Sequence, residues 1–354
     1  TITGLNINRP TEEKVGFFGA IKDASIKNVN FVNTNITGKQ TVGLVGYALG
    51  TSVISNIHST NSAVTAKVEC GGIAGAIATT GGCEDCSHSG TVTGSNCGGI
   101  LGRGNATSCQ NSGSVIFVYT YNWKEFTGIA GIVYSGIATK CTNFATVTTQ
   151  DRPGNAAGIT VKGNCTLCGN YGEVYGCSGS QNSNVSSDGN ACGISINGAV
   201  DQCFNLGNVH SPNTTPYALS VQSDVKNSFN FGNNLVLTSR NATNCYNANG
   251  IISDRYFAPN CFYYAPSASG DGTLASLRQL RLQSTFKDWD FDTVWTMGGN
   301  EDYLFPELKE MPVIFTKSLT GIAMATDPIQ LEYLEAKDDL DLTGGKITLK
   351  YNND

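Results

Sequence analysis

Apolar and polar residues alternate along most of the chain with a period of two, which is the periodicity of a β-strand. The pattern is clearest in a segment that returns at intervals, reading CQNSGSV at 109–115, CTNFATV at 141–147, CGNYGEV at 168–174 and CFNLGNV at 203–209. Valine, isoleucine and threonine are the most frequent residues of the strand-like segments, and glycine and asparagine interrupt them. No segment between residues 14 and 250 keeps the 3.6-residue apolar period of a helix. The sequence therefore predicts an all-β chain.

A second marker, which contains glycine in every copy except YALSV, precedes each copy of this segment. It reads VGFFG at 15–19, VGLVG at 42–46, GGIAG at 71–75, GGILG at 98–102, TGIAG at 127–131, AGITV at 157–161, CGISI at 192–196 and YALSV at 217–221. The first shared glycines are Gly16, Gly43, Gly72, Gly99, Gly128, Gly158 and Gly193. A period of 20–50 residues is typical of a solenoid. We therefore expect a parallel β-helix of about nine coils, stacked ~4.8 Å apart and right-handed by the crossover rule.

Equivalent positions of a solenoid stack above one another, so two columns of side chains are expected inside it. Cysteine is small and readily buried, and a stacked asparagine can satisfy its amide against the coils on either side or cap a bend. The predicted structural Cys column is Cys86, Cys109, Cys141, Cys168, Cys203 and Cys245. The predicted structural Asn column is Asn111, Asn143, Asn170, Asn205, Asn230 and Asn247.

The chain has thirteen cysteines, and buried free thiols are favoured over disulfides because stacked side chains point the same way. Cys70 and Cys97 form another equivalent pair, whereas Cys83, Cys165, Cys177 and Cys261 are expected off the columns. The C-x2-C pairs at 83–86 and 165–168 could suggest zinc. Cys86 and Cys168 would lie three coils apart, about 14 Å, so no metal site is predicted. His88 is expected to replace an asparagine as a buried hydrogen-bonding group.

The marker followed by a CxNxGxV strand resembles the GLUG repeat of bacterial surface proteins, and VGFFG and VGLVG match that pattern best. The resemblance covers about residues 1–310. The segment that begins SLTGIAM resembles the opening of a bacterial immunoglobulin-like domain. We therefore expect a β-helix at 1–265, a cap at 266–315 and an incomplete immunoglobulin-like domain at 316–354.

Within the cap, leucines at 274–282 give a partial helical pattern that Ser276 could start, and Trp289 and Trp295 are expected to pack there. The resemblance implies an extracellular protein of the bacterial cell surface, anchored through regions outside this sequence. We interpret the chain as a piece of a longer multidomain protein, monomeric within it.

Charge and motifs narrow the function classes. A net charge of −6 gives no support to nucleic-acid binding, and no apolar run reaches the roughly 18 residues of a membrane span. No HExxH motif, nucleophile elbow or phosphate loop is present, and acidic residues are scattered through the repeat. We therefore expect a non-enzymatic protein without a cofactor.

A binding site is predicted in the lengthened repeat IFVYTYNWKEF at 116–126. Phe117, Tyr119, Tyr121 and Trp123 alternate along it and would share one face of a strand, where exposed rings could stack on sugars. The alternative is that these rings cover a hydrophobic flank. The sequence thus favours an adhesion or display module whose ligand is a glycan or a host protein, with Tyr119, Tyr121 and Trp123 as ligand-binding residues. Two alternatives stay open: a carbohydrate-active lyase or hydrolase, and a non-catalytic region of a surface peptidase.

Overall fold

The computed structural model is nearly all β, with long parallel sheets. It describes residues 1–78, 81–118, 127–149, 154–176, 189–212, 214–233, 236–248, 250–253, 258–263, 272–298, 305–311, 319–326 and 346–351, the last two ranges for the backbone alone. The predicted all-β class is confirmed, and the parallel pairing is compatible with a solenoid.

The first sheet collects 25 short strands of the described residues. They are Ile2–Thr3, Asn6–Asn8, Ser25–Val32, Asn35–Thr37, Val53–Thr65, Gly82–Glu84, Ser87–Gly94, Asn105–Thr107, Gln110–Asn111, Ser114–Phe117, Ala138–Thr139, Thr142–Asn143, Val147–Thr148, Cys165–Thr166, Gly169–Asn170, Val174–Tyr175, Val200–Asp201, Phe204–Asn205, Val209–His210, Val225–Lys226, Phe229–Asn230, Ala242–Thr243, Tyr246–Asn247, Phe262–Tyr263 and Thr273–Leu274. Each pairs in parallel with the equivalent strand of a neighbouring repeat.

The second sheet contains 17 strands of the described residues, built from the marker segments. They are Lys14–Val15, Phe18–Lys22, Thr41–Val42, Val45–Leu49, Glu69–Gly71, Ala74–Ile77, Asn96–Gly98, Leu101–Arg103, Gly128–Ala130, Val133–Ser135, Asn155–Ala157, Thr160–Lys162, Ala191–Cys192, Ser195–Asn197, Tyr217–Ser220, Val236–Thr238 and Ile251–Ser253. Up to Ile251–Ser253 the chain alternates between the two sheets, so the repeats of this part contribute to both.

One ladder of register partners runs through the first sheet from end to end. Its twelve positions are Ile2, Phe31, Ser59, His88, Asn111, Asn143, Asn170, Asn205, Asn230, Asn247, Tyr263 and Leu274. The sequence predicted about nine coils, because the marker cannot be recognised in the last repeats. These repeats are short: 17 residues separate Asn230 from Asn247, compared with 35 between Asn170 and Asn205.

The marker predicted at 127–131 was misplaced by three residues. Gly98 pairs with Ala130, and Leu101 pairs with Val133, so GGILG lies beside AGIVY at 130–134. The glycine equivalent to Gly99 is therefore Gly131 and not Gly128. The lengthened repeat before it shifted the apparent spacing.

The core lies between the two sheets. The middle residue of seven markers faces inward and is buried, whereas Phe17 of VGFFG is 42% exposed. The valines of the first sheet are also buried, because alternate side chains of a strand point to opposite faces. The marker residues are Leu44, Ile73, Ile100, Ile132, Ile159, Ile194 and Leu219, and the valines are Val64, Val92, Val115, Val147, Val174 and Val209. Their burial supplies the main stabilisation of the repeats.

Helical structure in the described residues is limited to Leu277–Leu280 and a 3-10 turn at Gln283–Thr285. The helix starts as expected: the Gln279 N–H donates to Ser276 Oγ (3.3 Å), and the Ser276 N–H donates to Gln279 Oε1 (2.8 Å). It is shorter than the leucine pattern at 274–282 suggested.

Two compact units divide the chain. The first comprises 1–280 and 284–289; within it, Trp289 is buried and donates its indole N–H to the Asn244 carbonyl (2.8 Å). The second comprises 281–283 and 290–354. It contains the antiparallel pair Trp295–Met297 with Pro306–Leu308, in which Trp295 is fully buried, and the antiparallel pair Leu319–Thr326 with Lys346–Tyr351.

Candidate functional site

The predicted ligand-binding residues Tyr119, Tyr121 and Trp123 lie outside the described residues. Phe117, which was expected to share their exposed face, is buried in the core with 1% of its surface exposed. Val118, the last described residue before them, is 43% exposed. The prediction for Phe117 was therefore wrong: the strand Ser114–Phe117 turns Val115 and Phe117 inward.

The Cys ladder comprises Cys86, Cys109, Cys141, Cys168, Cys203, Ser228, Cys245 and Cys261, placed by the register pairs of the residues that follow them. Cys261 was expected off the columns. It is in register with Cys245 because the repeat between them has only 16 residues. Ser228 fills the cysteine position in its own repeat and makes the equivalent hydrogen bonds.

Each member of the Cys ladder closes the corner that precedes it. The Cys109 thiol donates to the Thr107 carbonyl (3.2 Å), the Cys141 thiol to that of Thr139 (3.2 Å) and the Cys245 thiol to that of Thr243 (3.2 Å). The residue between thiol and carbonyl has a positive φ at every corner: Asp85, Ser108, Lys140, Leu167, Gln202, Asn227, Asn244 and Asn260. A left-handed residue interrupts regular strand pairing, so a side-chain donor is useful there.

The thiols also accept hydrogen bonds along the ladder. The Cys168 N–H donates to Cys203 Sγ (3.4 Å), and the Cys203 N–H donates to Ser228 Oγ (3.0 Å). The cysteines thus link consecutive repeats while they fill the core. The sequence indicated a small apolar filler, and the hydrogen-bonding role was missed; the serine at 228 was the signal for it.

Three of the buried cysteines, Cys86, Cys141 and Cys165, have raised pKa values that favour the neutral thiol. Burial is the largest cause that raises the pKa of Cys141 and of Cys165 well above the ordinary value. The hydrogen bond with Cys109, together with burial, raises the pKa of Cys86 to about 12. A thiolate is the form that attacks or binds a metal, so these cysteines serve the core. Among the described residues, no group of three or more His, Cys, Asp or Glu side chains could hold a metal ion.

Cys70 and Cys97 differ from the others because they form a disulfide bond. They are register partners in neighbouring strands of the second sheet, with Cα atoms 4.6 Å apart. The preference for free thiols was therefore wrong for this pair. The other ten described cysteines are free and buried.

The Asn ladder comprises Asn111, Asn143, Asn170, Asn205, Asn230 and Asn247, all fully buried. The side-chain amides of the first five donate to the side-chain oxygen of the next asparagine at 2.8–3.2 Å. Each also donates to a carbonyl a few residues ahead in its own repeat, for example Asn143 to Ala145 (3.0 Å) and Asn170 to Gly172 (2.9 Å). The ladder therefore satisfies its polar groups inside the core and fixes the corner after each strand.

The first glycine of the marker is needed by the Asn ladder. A Cβ atom would lie 2.3 Å from Cγ of Asn111 if added to Gly99, and 2.5 Å from Cγ of Asn170 if added to Gly158. These distances are too short for non-bonded atoms, so Asn111 and Asn170 fit only because Gly99 and Gly158 have no side chain. Most copies of the marker and the CxN segment recur together for this reason, whereas Ala218 takes the glycine position in YALSV.

His88 occupies the ladder position next to Asn111 and is 1% exposed. Burial lowers its pKa to about 4. Neither ring nitrogen has a hydrogen-bond partner, and neither does Oγ of Ser59, its other register partner. The expectation of a buried residue is met, whereas the expected hydrogen bonds are not formed. His88 is thus a neutral ring at one end of the Asn ladder.

A polar and aromatic cluster lies on the outer surface of the first sheet. The rings of Tyr175 and His210 stack with centroids 4.5 Å apart, and His210 Nε2 lies 2.6 Å from Oε2 of Glu173. Asn208 donates its amide to the same carboxylate (2.9 Å). The sequence analysis missed this cluster, although EVY at 173–175 and NVH at 208–210 hold the same place in their repeats.

No family model matches the chain, and neither the curated proteins nor the solved structures include a match. In the part of the chain that is described, no helix has the length and apolar character needed to cross a membrane.

Proposed function

We propose that this chain is a right-handed parallel β-helix of GLUG-like repeats that acts as a non-enzymatic adhesion or display module on the bacterial cell surface. Its ligand would be a glycan or a host protein. The observation that carries the proposal is the unbroken ladder of twelve register positions, which provides a long frame for presenting surface residues at a spacing of about 4.8 Å per repeat.

The interior chemistry supports a structural role for the repeated residues. The buried asparagines hydrogen-bond to one another, and the buried cysteines hydrogen-bond to backbone carbonyls. Polar groups that serve packing are not available to a substrate. Recognition would therefore depend on exposed residues, where insertions interrupt the repeat.

The site proposed for the ligand remains Tyr119, Tyr121 and Trp123. They belong to an insertion that follows the strand Ser114–Phe117, and exposed aromatic rings are suited to stacking on sugars. The Glu173, Tyr175 and His210 cluster gives an exposed surface for comparison, since Tyr175 and His210 end strands of the first sheet.

A glycan-array screen of the chain tests the proposal, with Trp123→Ala and Tyr121→Ala as site variants and Tyr175→Ala as the matched aromatic control. We expect binding that is lost in the first two variants and kept in the control. Loss only in Tyr175→Ala would move the site to the outer cluster. Release of reducing or unsaturated ends from polysaccharides would overturn the non-enzymatic assignment.

A further inference from the structure

Four Asn-X-Thr triplets in the described residues share one arrangement. They are Asn35-Ile-Thr37, Asn105-Ala-Thr107, Asn164-Cys-Thr166 and Asn241-Ala-Thr243. In each, the asparagine is exposed, the middle residue is buried and the threonine is partly exposed. The alternation of a strand thus places the asparagine and the threonine on the solvent face, where an enzyme could reach both.

Asn105, Asn164 and Asn241 lie beside one register column of the first sheet. The residues that follow them belong to a single register column, in which Ala106 pairs with Ala138 and Ala138 pairs with Cys165. Asn105 and Asn164 are therefore two repeats apart, about 10 Å. Ile137 occupies the position between them and is 45% exposed.

Hydrogen bonding orients the two amides. Oδ1 of Asn105 accepts the backbone N–H of Ile137 (3.1 Å), and Oδ1 of Asn164 accepts that of Ala199 (2.9 Å). In the described structure, Nδ2 of neither residue has a hydrogen-bond partner. Oδ1 of each asparagine is hydrogen-bonded to the neighbouring repeat, and Nδ2 is free to face solvent.

The buried asparagines provide an internal contrast. In the Asn ladder each Nδ2 already donates to two acceptors, as Asn143 does to Ala145 and Asn170. No asparagine of that ladder is followed two residues later by serine or threonine. Asn105 and Asn164 are therefore exposed asparagines with an unpaired nitrogen, unlike the buried ones. Asn241, whose triplet lies in the same register column, instead donates its Nδ2 to Asp224 (3.3 Å).

We propose that Asn105 and Asn164 are acceptor sites for N-linked glycans. Asn-X-Ser/Thr is the acceptor pattern for this modification. Nδ2 would form a bond to the anomeric carbon of an activated sugar phosphate while the bond between that carbon and the phosphate oxygen breaks. The phosphate leaves with the electron pair, and one Nδ2 proton passes to a base of the transferase. A glycan on Asn105 or Asn164 would cover the exposed Ile137 between them.

Peptide mass spectrometry of the protein isolated from its own source tests the proposal. We expect a sugar adduct on the peptides that contain Asn105 and Asn164, and none on those that contain Asn111 or Asn143. The adduct mass distinguishes a single sugar, transferred from a nucleotide donor, from an oligosaccharide assembled on a polyprenyl phosphate. Unmodified Asn105 and Asn164 in the native protein would overturn the inference.

Two variants expressed in the same source separate the acceptor role from the fold. Thr107→Val removes the triplet and leaves Asn105 in place, so occupancy at Asn105 should fall at least tenfold while Asn164 stays modified. Thr107→Ser keeps the triplet, so occupancy at Asn105 should persist. An adduct that survives Thr107→Val would contradict recognition through the triplet.

Discussion

A methyl group at Gly131 would lie 2.4 Å from Cγ of Asn143 and 2.0 Å from the carbonyl oxygen of Gly158. Gly131→Ala should therefore overpack the corner and lower the free energy of unfolding by about 1–3 kcal/mol. Urea unfolding measures the change. Gly19→Ala is the matched control, because its Cβ would meet only the Lys14 oxygen, at 3.2 Å. Equal loss in both variants would contradict the steric argument.

Asn143 is bonded on both sides within the Asn ladder, so its removal leaves buried groups unpaired. Asn143→Ala deprives Asn111 Nδ2 of an acceptor and Asn170 Oδ1 of a donor. We expect the free energy of unfolding to fall by about 2–4 kcal/mol, since each unsatisfied buried group costs about 1–3 kcal/mol. Asn241→Ala, which breaks an exposed bond to Asp224, should cost much less. Thermal unfolding of both variants compares the two.

Leu167 holds a φ of 56° at the corner before Cys168. A left-handed conformation costs an ordinary L-residue about 1–2 kcal/mol, and glycine or asparagine tolerates it. Leu167→Asn should therefore stabilise the chain by up to about 1 kcal/mol, as the asparagines at 227, 244 and 260 already do in their own repeats. Leu167→Ala keeps the strained backbone and serves as the control. A melting temperature for the asparagine variant no higher than that of the alanine variant would contradict this account.

Burial of His88 should make the free energy of unfolding depend on pH. An unfolded histidine takes up a proton near pH 6.5, whereas buried His88 does so only near pH 4. The unfolded chain therefore binds more protons between these values, and stability is lost as the pH falls from 6.5 to about 4, by roughly 3 kcal/mol. Its register partners Ser59 and Asn111 and the adjacent Gly72 carry no charge.

His88→Asn tests this dependence and extends the Asn ladder by one position. Its melting temperature should change less between pH 6.5 and 4 than that of the parent chain. The control His58→Asn removes a histidine whose ring nitrogens bond to Ser87 and Asn56 near the surface, and it should leave the dependence in place. A parent chain with the same melting temperature at both pH values would contradict the prediction.

Reduction of the Cys70–Cys97 disulfide should destabilise the chain and leave the Asn ladder and the Cys ladder intact. The bond closes a segment of 27 residues, for which loop entropy gives about 3.5 kcal/mol. The Cys70→Ser and Cys97→Ser double variant should lower the melting temperature. Cys192→Ser, at a buried free thiol, controls for loss of a core sulfur. A reductant should shift the parent melting temperature toward that of the double variant and leave the double variant unchanged.

Side-chain spacing was sufficient to anticipate the all-β class and the stacking of Asn111 with Asn143, because period-two alternation and repeat length are both visible in sequence. It was insufficient for Cys261, whose repeat is too short to show the marker, and for Gly131, which follows an insertion. The left-handed corners were not visible either: Leu167, Lys140 and Gln202 share a backbone conformation and no side-chain property. The sequence placed Cys70 and Cys97 at equivalent positions, but the expectation that stacked side chains point the same way argued against the bond that joins them.

The separations along the Asn ladder run through 32, 27, 35, 25 and 17 residues, yet the amide contacts vary only between 2.8 and 3.2 Å. The hydrogen bond between two neighbouring asparagines is therefore the same whether the chain between them is long or short. Surface loops can therefore be lengthened or shortened one repeat at a time without a change in the Asn ladder. Related chains could then differ in surface shape and in the ligand they bind while they keep the same ladder.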